Sequence, residues 1–317
     1  MDVESMSPAG RWWYALKPAS WPKVLVPALF GQAVGAAAAG RVSAGALAFG
    51  VAWMIADVAF IVLLNDWGDR EVDALKRRMF PRGCSPKTIP DGILPARALL
   101  VAGLGAGAGA LLVAWAAGVA LERPLLLPLA ALGLGLFAAY TLPPLRLNYR
   151  GGGELLEMVG VGGVLPALHA YAQCGTWAPA WLLALAPGLL ALALASALAS
   201  GLSDEESDRA GGKRTFTTLL GNTAVRRSAE VLVGLGVLLW LGVAGWGAGD
   251  VPPAWAVVPA ALLTGVFGVR LVRDSPAAVT NAFSAQSVYK VELHRAIWWG
   301  TVVLSALVLV AGVGGLR

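Results

Sequence analysis

Charge is scarce in this chain and cysteine almost missing. Of 317 residues only 14% are Asp, Glu, Lys or Arg, against about 25% in soluble domains, whose water-facing surface requires them. That deficit excludes an ordinary soluble domain. The two cysteines, Cys84 and Cys174, are too few for a disulfide scaffold and are expected as unpaired thiols. There is no zinc-ligand spacing, Walker loop or dinucleotide-binding fingerprint. The 40 glycines follow no Gly-X-Y period, which excludes a collagen-like chain. What the chain has in quantity is apolar sequence: 57% of its residues are hydrophobic and its mean hydropathy is +0.69. A surface this poor in charge needs a bilayer as its solvent.

A helix of about 17–25 apolar residues crosses the hydrocarbon core. Nine such runs are expected, near 22–39, 43–64, 98–119, 125–142, 154–173, 179–201, 229–248, 253–271 and 295–314. They are continuously apolar, where a β-barrel would alternate. The fold class is therefore an all-α integral membrane protein of about nine transmembrane helices, one domain over 1–317. An N-terminal segment, 1–21, precedes the first span, and the longest polar loops cover 65–97 and 202–228. The end of the first span, Ala37-Ala38-Ala39-Gly40, looks like a signal-peptide cleavage site, but acidic Asp2 and Glu4 upstream favour a retained helix. Small residues suit helices whose backbones approach closely in lipid.

With nine spans, the N-terminus and the loops after spans 2, 4, 6 and 8 share a side. All of the 24 Lys and Arg residues except Arg41, Arg123 and Arg317 fall there, which places that side in the cytoplasm of the cell (inner) membrane. The net charge of +5 is thus a basic membrane face and not a nucleic-acid surface.

Two acidic clusters lie on that face. The first reads Asn65-Asp66-Trp67-Gly68-Asp69-Arg70-Glu71-Val72-Asp73. Asn65, Asp69 and Asp73 are four residues apart, so on a continuing helix they stack along one stripe, with Asp66 beside it. Stacked carboxylates repel, and a divalent cation removes the conflict; Mg²⁺ takes oxygen ligands and shares positions with phosphate oxygens. The second cluster, Ser203-Asp204-Glu205-Glu206-Ser207-Asp208-Arg209, again places Asp204 and Asp208 on one helical face and leads into Gly212-Lys213-Arg214-Thr215. The clusters stand four spans apart, which suggests two four-helix halves and a ninth helix. Cations are interleaved: Arg70, Lys76, Arg77, Arg78, Lys87, Arg209, Lys213 and Arg214. Carboxylates for a metal mixed with Lys and Arg suit a diphosphate, whose charge both neutralise.

These residues resemble the UbiA superfamily of intramembrane prenyltransferases. Its signature Asn-Asp-x-x-Asp-x-x-x-Asp is matched at Asn65, Asp66, Asp69 and Asp73, and its second, Asp-x-x-x-Asp followed by Gly-Lys-Arg-Thr, at Asp204, Asp208 and Gly212 to Thr215. Within the superfamily, Tyr140-Thr141-Leu142-Pro143-Pro144-Leu145-Arg146 and Gly151-Gly152-Gly153-Glu154 look most like the branch acting on 1,4-dihydroxy-2-naphthoate, with Gly152 where that branch has Leu. Hydroxyquinoline prenylation is the alternative. Lys17-Pro18 and Trp21-Pro22-Lys23 resemble the family's basic entry to the first helix.

The resemblance implies a bundle around a central apolar chamber, with the polyprenyl tail reaching membrane lipid, and Mg²⁺-dependent transfer from an isoprenyl diphosphate to a small aromatic acceptor through an allylic carbocation. It implies Asn65, Asp69, Asp204 and Asp208 as metal ligands. Lys76, Arg78, Arg209, Lys213 and Arg214 would bind the diphosphate, and Asp66, Asp73, Tyr140 and Arg146 would assist catalysis. Asp57, in the middle of the second span, is an acceptor contact, a proton acceptor or a structural acid. Glu154 is an acceptor candidate or, with Glu157, a helix-dipole partner. The Tyr140 and Trp67 rings could stabilise a cation, although interfaces gather aromatic rings without catalytic duty. His169 and His294 are expected at interfaces. The rival from another class, a cation transporter, calls for acids through several spans at the midplane, where Asp57 stands nearly alone.

Overall fold

The computed structural model describes residues 5–81, 87–246 and 251–314; Cys84 and Arg317 lie outside them. Helices are α1 (Pro8–Ala15), α2 (Pro22–Ala39), α3 (Ala44–Gly68), α4 (Arg70–Met79), α5 (Ala96–Ala120), α6 (Leu126–Thr141), α7 (Gly153–Val159), α8 (Leu165–Cys174), α9 (Ala180–Ser200), α10 (Glu205–Ala210), α11 (Phe216–Leu220), α12 (Asn222–Trp246), α13 (Ala254–Asp274) and α14 (Phe283–Val313). Proline punctuates their starts: Pro22 opens α2, and Pro95, Pro179 and Pro253 stand just before α5, α9 and α13. Its missing N–H removes nothing there that the helix would use. Gly40 closes α2 in the left-handed conformation, at φ 65°.

Among the described residues, eight segments are long and apolar enough to cross a membrane, α7 and α8 counting as one. The fourth expected span, α6, has 16 residues, because Pro124 and the Pro143–Pro144 pair bound it. Outward faces are apolar: Ile55, Val231 and Val269 are 70%, 69% and 72% exposed, as lipid-facing side chains should be. The protein is multi-pass and all-helical.

Three span boundaries differ most from the expected ones. The second span runs on to Gly68, the seventh begins at Asn222, and the last begins at Phe283 instead of residue 295. The start of α14 is too polar for a hydropathy window, yet Gln286, Tyr289, Leu293 and Ala296 are buried at helical spacing. His294 therefore lies within α14, stacked on Trp298 at 4.4 Å. The fifth span is interrupted: Gly160–Val164 winds one wide π turn between α7 and α8.

Among the described residues two large cores hold the bundle. One gathers α9, α12, α13 and α14 around Leu185, Leu192, Trp240 and Leu304; the other gathers α3, α5, α6 and α8 around Trp53, Leu64, Ala110 and Leu126. The additional helix is α2, which contributes to both. It crosses α8 at backbone contact, where a Cβ on Gly31 would stand 2.3 Å from Pro166 O and one on Gly35 2.4 Å from Ala170 O. Between the halves lies a cavity of about 350 Å³.

Candidate active site

Both acidic clusters sit where a spanning helix ends in a bend. α3 stops at Gly68, and Asp69 (φ −94°, ψ 5°) turns the chain into α4. α9 stops at Ser200, a 3-10 turn follows, and Asp204 (φ −114°, ψ 0°) turns the chain into α10. The helical bonds Asp73 N–H to Asp69 O and Asp208 N–H to Asp204 O, both 2.8 Å, bridge the bends. The expected uninterrupted stripe is therefore broken at Asp69. The bent tips pack together: a Cβ on Gly211 would lie 2.8 Å from Val72 Cγ2. Gly68 is confined likewise, its Cβ direction blocked by Thr141 Oγ1 at 2.4 Å.

Lysines connect the tips across the gap. Lys213 Nζ donates to Asp69 Oδ2 at 3.0 Å, and Lys76 Nζ to Asp204 and Ser203 O. Lys17, at the entry to α2, pairs with Asp66, which also accepts from Thr88 Oγ1. Lys87 holds Asp73 at 2.7 Å. Asp208, 3% exposed, receives no ion pair among the described residues. Burial pushes its carboxyl up to about 7; Lys213 opposes that, and neighbouring Asp204 and Asp69 add to it. Burial acts in the same sense on Asp204, but Lys76 and Lys87 outweigh it and bring that carboxyl below its ordinary value. Burial would lower the Lys213 ammonium, yet Asp69 and Asp208 hold it well above its ordinary range.

The cavity reaches both tips. Asn65, Asp66, Asp69, Asp204, Asp208 and Lys213 line its mouth, while Asp57, Tyr140 and Glu154 line its wall. Six expected site residues stay outside that lining. Asp73 and Lys76 are engaged with Lys87 and Asp204. Arg146 donates to Gly68 O and stacks 3.7 Å over Tyr149. Arg209 pairs with Glu205, while Arg78 and Arg214 point outward, exposed. Glu154 accepts from Phe216 N–H at 2.8 Å, which ties the start of α7 to the segment carrying Lys213. His169 is buried rather than interfacial, 1% exposed.

Residues without an expected role also reach the mouth. Asn148 lines the cavity and donates to Asp69 Oδ1 at 3.4 Å; Lys23 reaches Glu157 at 2.5 Å and Ser200 Oγ at 2.9 Å. Lys17 and Arg146 adopt left-handed backbone, φ 47° and 43°, uncommon for residues with a Cβ. Asn148 follows the Pro143–Pro144 turn, the one local signal that could have singled it out.

Below the mouth the walls are apolar: Val58, Ile61, Leu129, Phe137, Val161 and Leu165 face the cavity. Phe137 and Tyr140 stack at 5.7 Å. The arrangement combines an oxygen-rich, lysine-bearing rim with a largely apolar interior.

Comparison with known proteins agrees. The chain superposes on a UbiA homolog from Archaeoglobus fulgidus bound to DMAPP and Mg2+ with a TM-score of 0.65 at 17% identity, over 90% of this chain and 99% of that one. The same homolog bound to GPP and Mg2+ gives 0.64 at 18%, over 93% and 99%. In sequence, the chain is 30% identical over 250 residues to the chloroplastic chlorophyll synthase of Oryza sativa subsp. japonica, 73% of this chain and 59% of that protein. It is 27% identical over 263 residues to that of Arabidopsis thaliana, 78% and 62%. The chain thus spans about three fifths of these relatives' length. The profile of the UbiA prenyltransferase family matches residues 24–289, and the chain belongs to that family.

Proposed function

We propose that this protein transfers an isoprenyl chain from an isoprenyl diphosphate to an aromatic acceptor, with Mg²⁺ as cofactor. One observation carries the reading: two helix tips from opposite halves turn oxygen donors and a lysine onto the mouth of a single apolar cavity. The Archaeoglobus homologs, with their bound diphosphates and Mg2+, support it.

The donor set suits the ion. Asn65, Asp69, Asp204 and Asp208 each offer an oxygen donor. Among the described residues no three acidic, His or Cys side chains lie close enough to hold an ion by themselves; Mg²⁺ would keep waters and take phosphate oxygens there. Bound there, Mg²⁺ would neutralise charge as the bond between the chain's first carbon and its diphosphate oxygen breaks.

The chain's own residues do the rest. Lys213 donates to the diphosphate, with Lys17 and Lys23 beside it on the rim. Each lysine now on a carboxylate becomes available to the anion once that carboxylate has a metal partner. The departing diphosphate leaves an allylic carbocation in the chamber, where apolar walls exclude water and the Phe137–Tyr140 stack presents aromatic faces. A ring carbon of the acceptor attacks, the new carbon–carbon bond forms, and the ring proton passes to the released diphosphate, which restores aromaticity.

The Tyr140-to-Arg146 and Gly151-to-Glu154 segments support a bicyclic acceptor of the 1,4-dihydroxy-2-naphthoate or hydroxyquinoline kind. The two plant relatives, named for chlorophyll, bring a chlorophyll precursor as a second class. The basic loops support a cytoplasmic placement of the acidic tips on the cell membrane. The test incubates purified protein with Mg²⁺, radiolabelled isoprenyl diphosphates and a panel holding all three acceptor types. Labelled product that depends on Mg²⁺ is expected; none with any acceptor would overturn the reading.

A further inference from the structure

The chamber wall carries two polar groups that the transfer chemistry above leaves unused. Trp53 and Asp57 lie one turn apart on α3, so their side chains are neighbours, and both line the chamber. They are 2% and 5% exposed. The Trp53 indole N–H has no acceptor. Nor does the Asp57 carboxyl receive a hydrogen bond or cation among the described residues. Buried polar groups are nearly always partnered, so an unpartnered pair facing a cavity points to a ligand.

The contrast with the neighbouring polar layer sharpens this. Ser43 N–H donates to Gln173 Oε1 at 2.8 Å, Gln173 Nε2 to Gln32 Oε1 at 2.6 Å, and Gln32 Nε2 to Ala46 O and His169 Nδ1 at 3.1 and 2.9 Å. A backbone N–H only donates, so Ser43 sets the sense of the whole chain. The His169 proton then resides on Nε2, an assignment the network makes, with the ring packed against Phe49 and Trp53. That layer binds its groups to one another except for the His169 Nε2–H, which has no acceptor, and it takes nothing from Trp53 or Asp57.

We propose that Trp53 and Asp57 form the seat for a hydroxyl of the acceptor. The indole N–H donates to the hydroxyl oxygen, and the hydroxyl donates to a carboxyl oxygen of Asp57. A hydroxyl satisfies both partners at once, a carbonyl only Trp53, and a methyl neither. The proposal rests on the prenyl-transfer reading and specifies its acceptor as a hydroxyaromatic.

The test uses 1,4-dihydroxy-2-naphthoate and 1-hydroxy-2-naphthoate, which differ by one hydroxyl. Equilibrium dialysis against the detergent-purified protein measures their binding without diphosphate or metal, and steady-state assays give KM for each substrate. The wild type is expected to bind the dihydroxy compound about tenfold more tightly. Asp57→Leu and Trp53→Phe should each bring the ratio near one while leaving KM for the isoprenyl diphosphate unchanged. Asp57→Asn, which keeps an acceptor oxygen, should retain most of the preference. An unchanged ratio in folded Asp57→Leu and Trp53→Phe proteins, or no preference in the wild type, overturns the seat. Absence of transfer to any acceptor, with the binding preference intact, overturns the transferase reading and leaves the seat standing.

Discussion

The two helix tips are near copies that end differently. In each, a spanning helix breaks at an aspartate, Asp69 or Asp204, and a second aspartate follows four residues on. Each hinge aspartate is held by a lysine from the other tip, Lys213 or Lys76. The trailing residues diverge. Asp73 turns away to Lys87 and leaves the cavity, whereas Asp208 faces the cavity with no cation of its own. The shared motif thus places one trailing acid against a lysine and the other on the cavity.

That contrast can be broken directly. The largest effect is expected from Asp69→Ala and Asp208→Ala, each lowering kcat by on the order of 10²–10³-fold, with folded protein still extractable in detergent. Asp73→Ala should lower it far less, because Asp73 lies outside the cavity lining. Equal losses at Asp73 and Asp208, measured side by side, would erase the distinction. Next comes Lys213→Met, expected to raise KM for the diphosphate about ten- to a hundredfold, the range of one charge-assisted bond. Arg214→Met, an exposed neighbour, should change it little.

The smallest effect concerns pH. A carboxyl whose folded value is raised holds its proton in the folded protein after the unfolded chain has released it. Stability attributable to Asp208 therefore falls as pH rises from about 4 to about 7, between its ordinary 3.8 and its folded value. Asp204 is shifted down, so its contribution is present above the ordinary value and is lost as pH falls below it. Thermal melts of metal-free Asp208→Asn and Asp204→Asn against wild type should show differences of opposite slope. Parallel slopes would show that the two acids sit in equivalent fields.

Much of this was legible in the chain. Continuous apolar runs gave the helical membrane fold, and the spacing of Asn65, Asp69, Asp204 and Asp208 gave four residues that do line one cavity. What the spacing could not give was partnership. Lys76 and Lys213 both read as diphosphate cations, yet Lys76 spans 128 residues to Asp204, and no local pattern encodes such a contact. Asn148 was overlooked for the same reason, since the cavity mouth is assembled from segments distant in sequence, while Lys23 shows in the sequence only as part of the basic entry to the first helix. The early start of α14 escaped because hydropathy registers lipid-facing residues, while its first turns bury polar Gln286 and Tyr289 against protein.

The cross-tip pairing also has a consequence for biogenesis. Asp69 and Lys213 are 144 residues apart, so at roughly 5–20 residues per second the ribosome delivers the lysine about 7–30 s after its aspartate. For that interval the carboxylates of α3 have no partner from the later half. A charged helix tip can wait in interfacial water, where the same charges at mid-bilayer would oppose insertion. Placing Asp66 and Asp69 at the end of the span lets the first half enter the membrane before the later half's counter-charges exist.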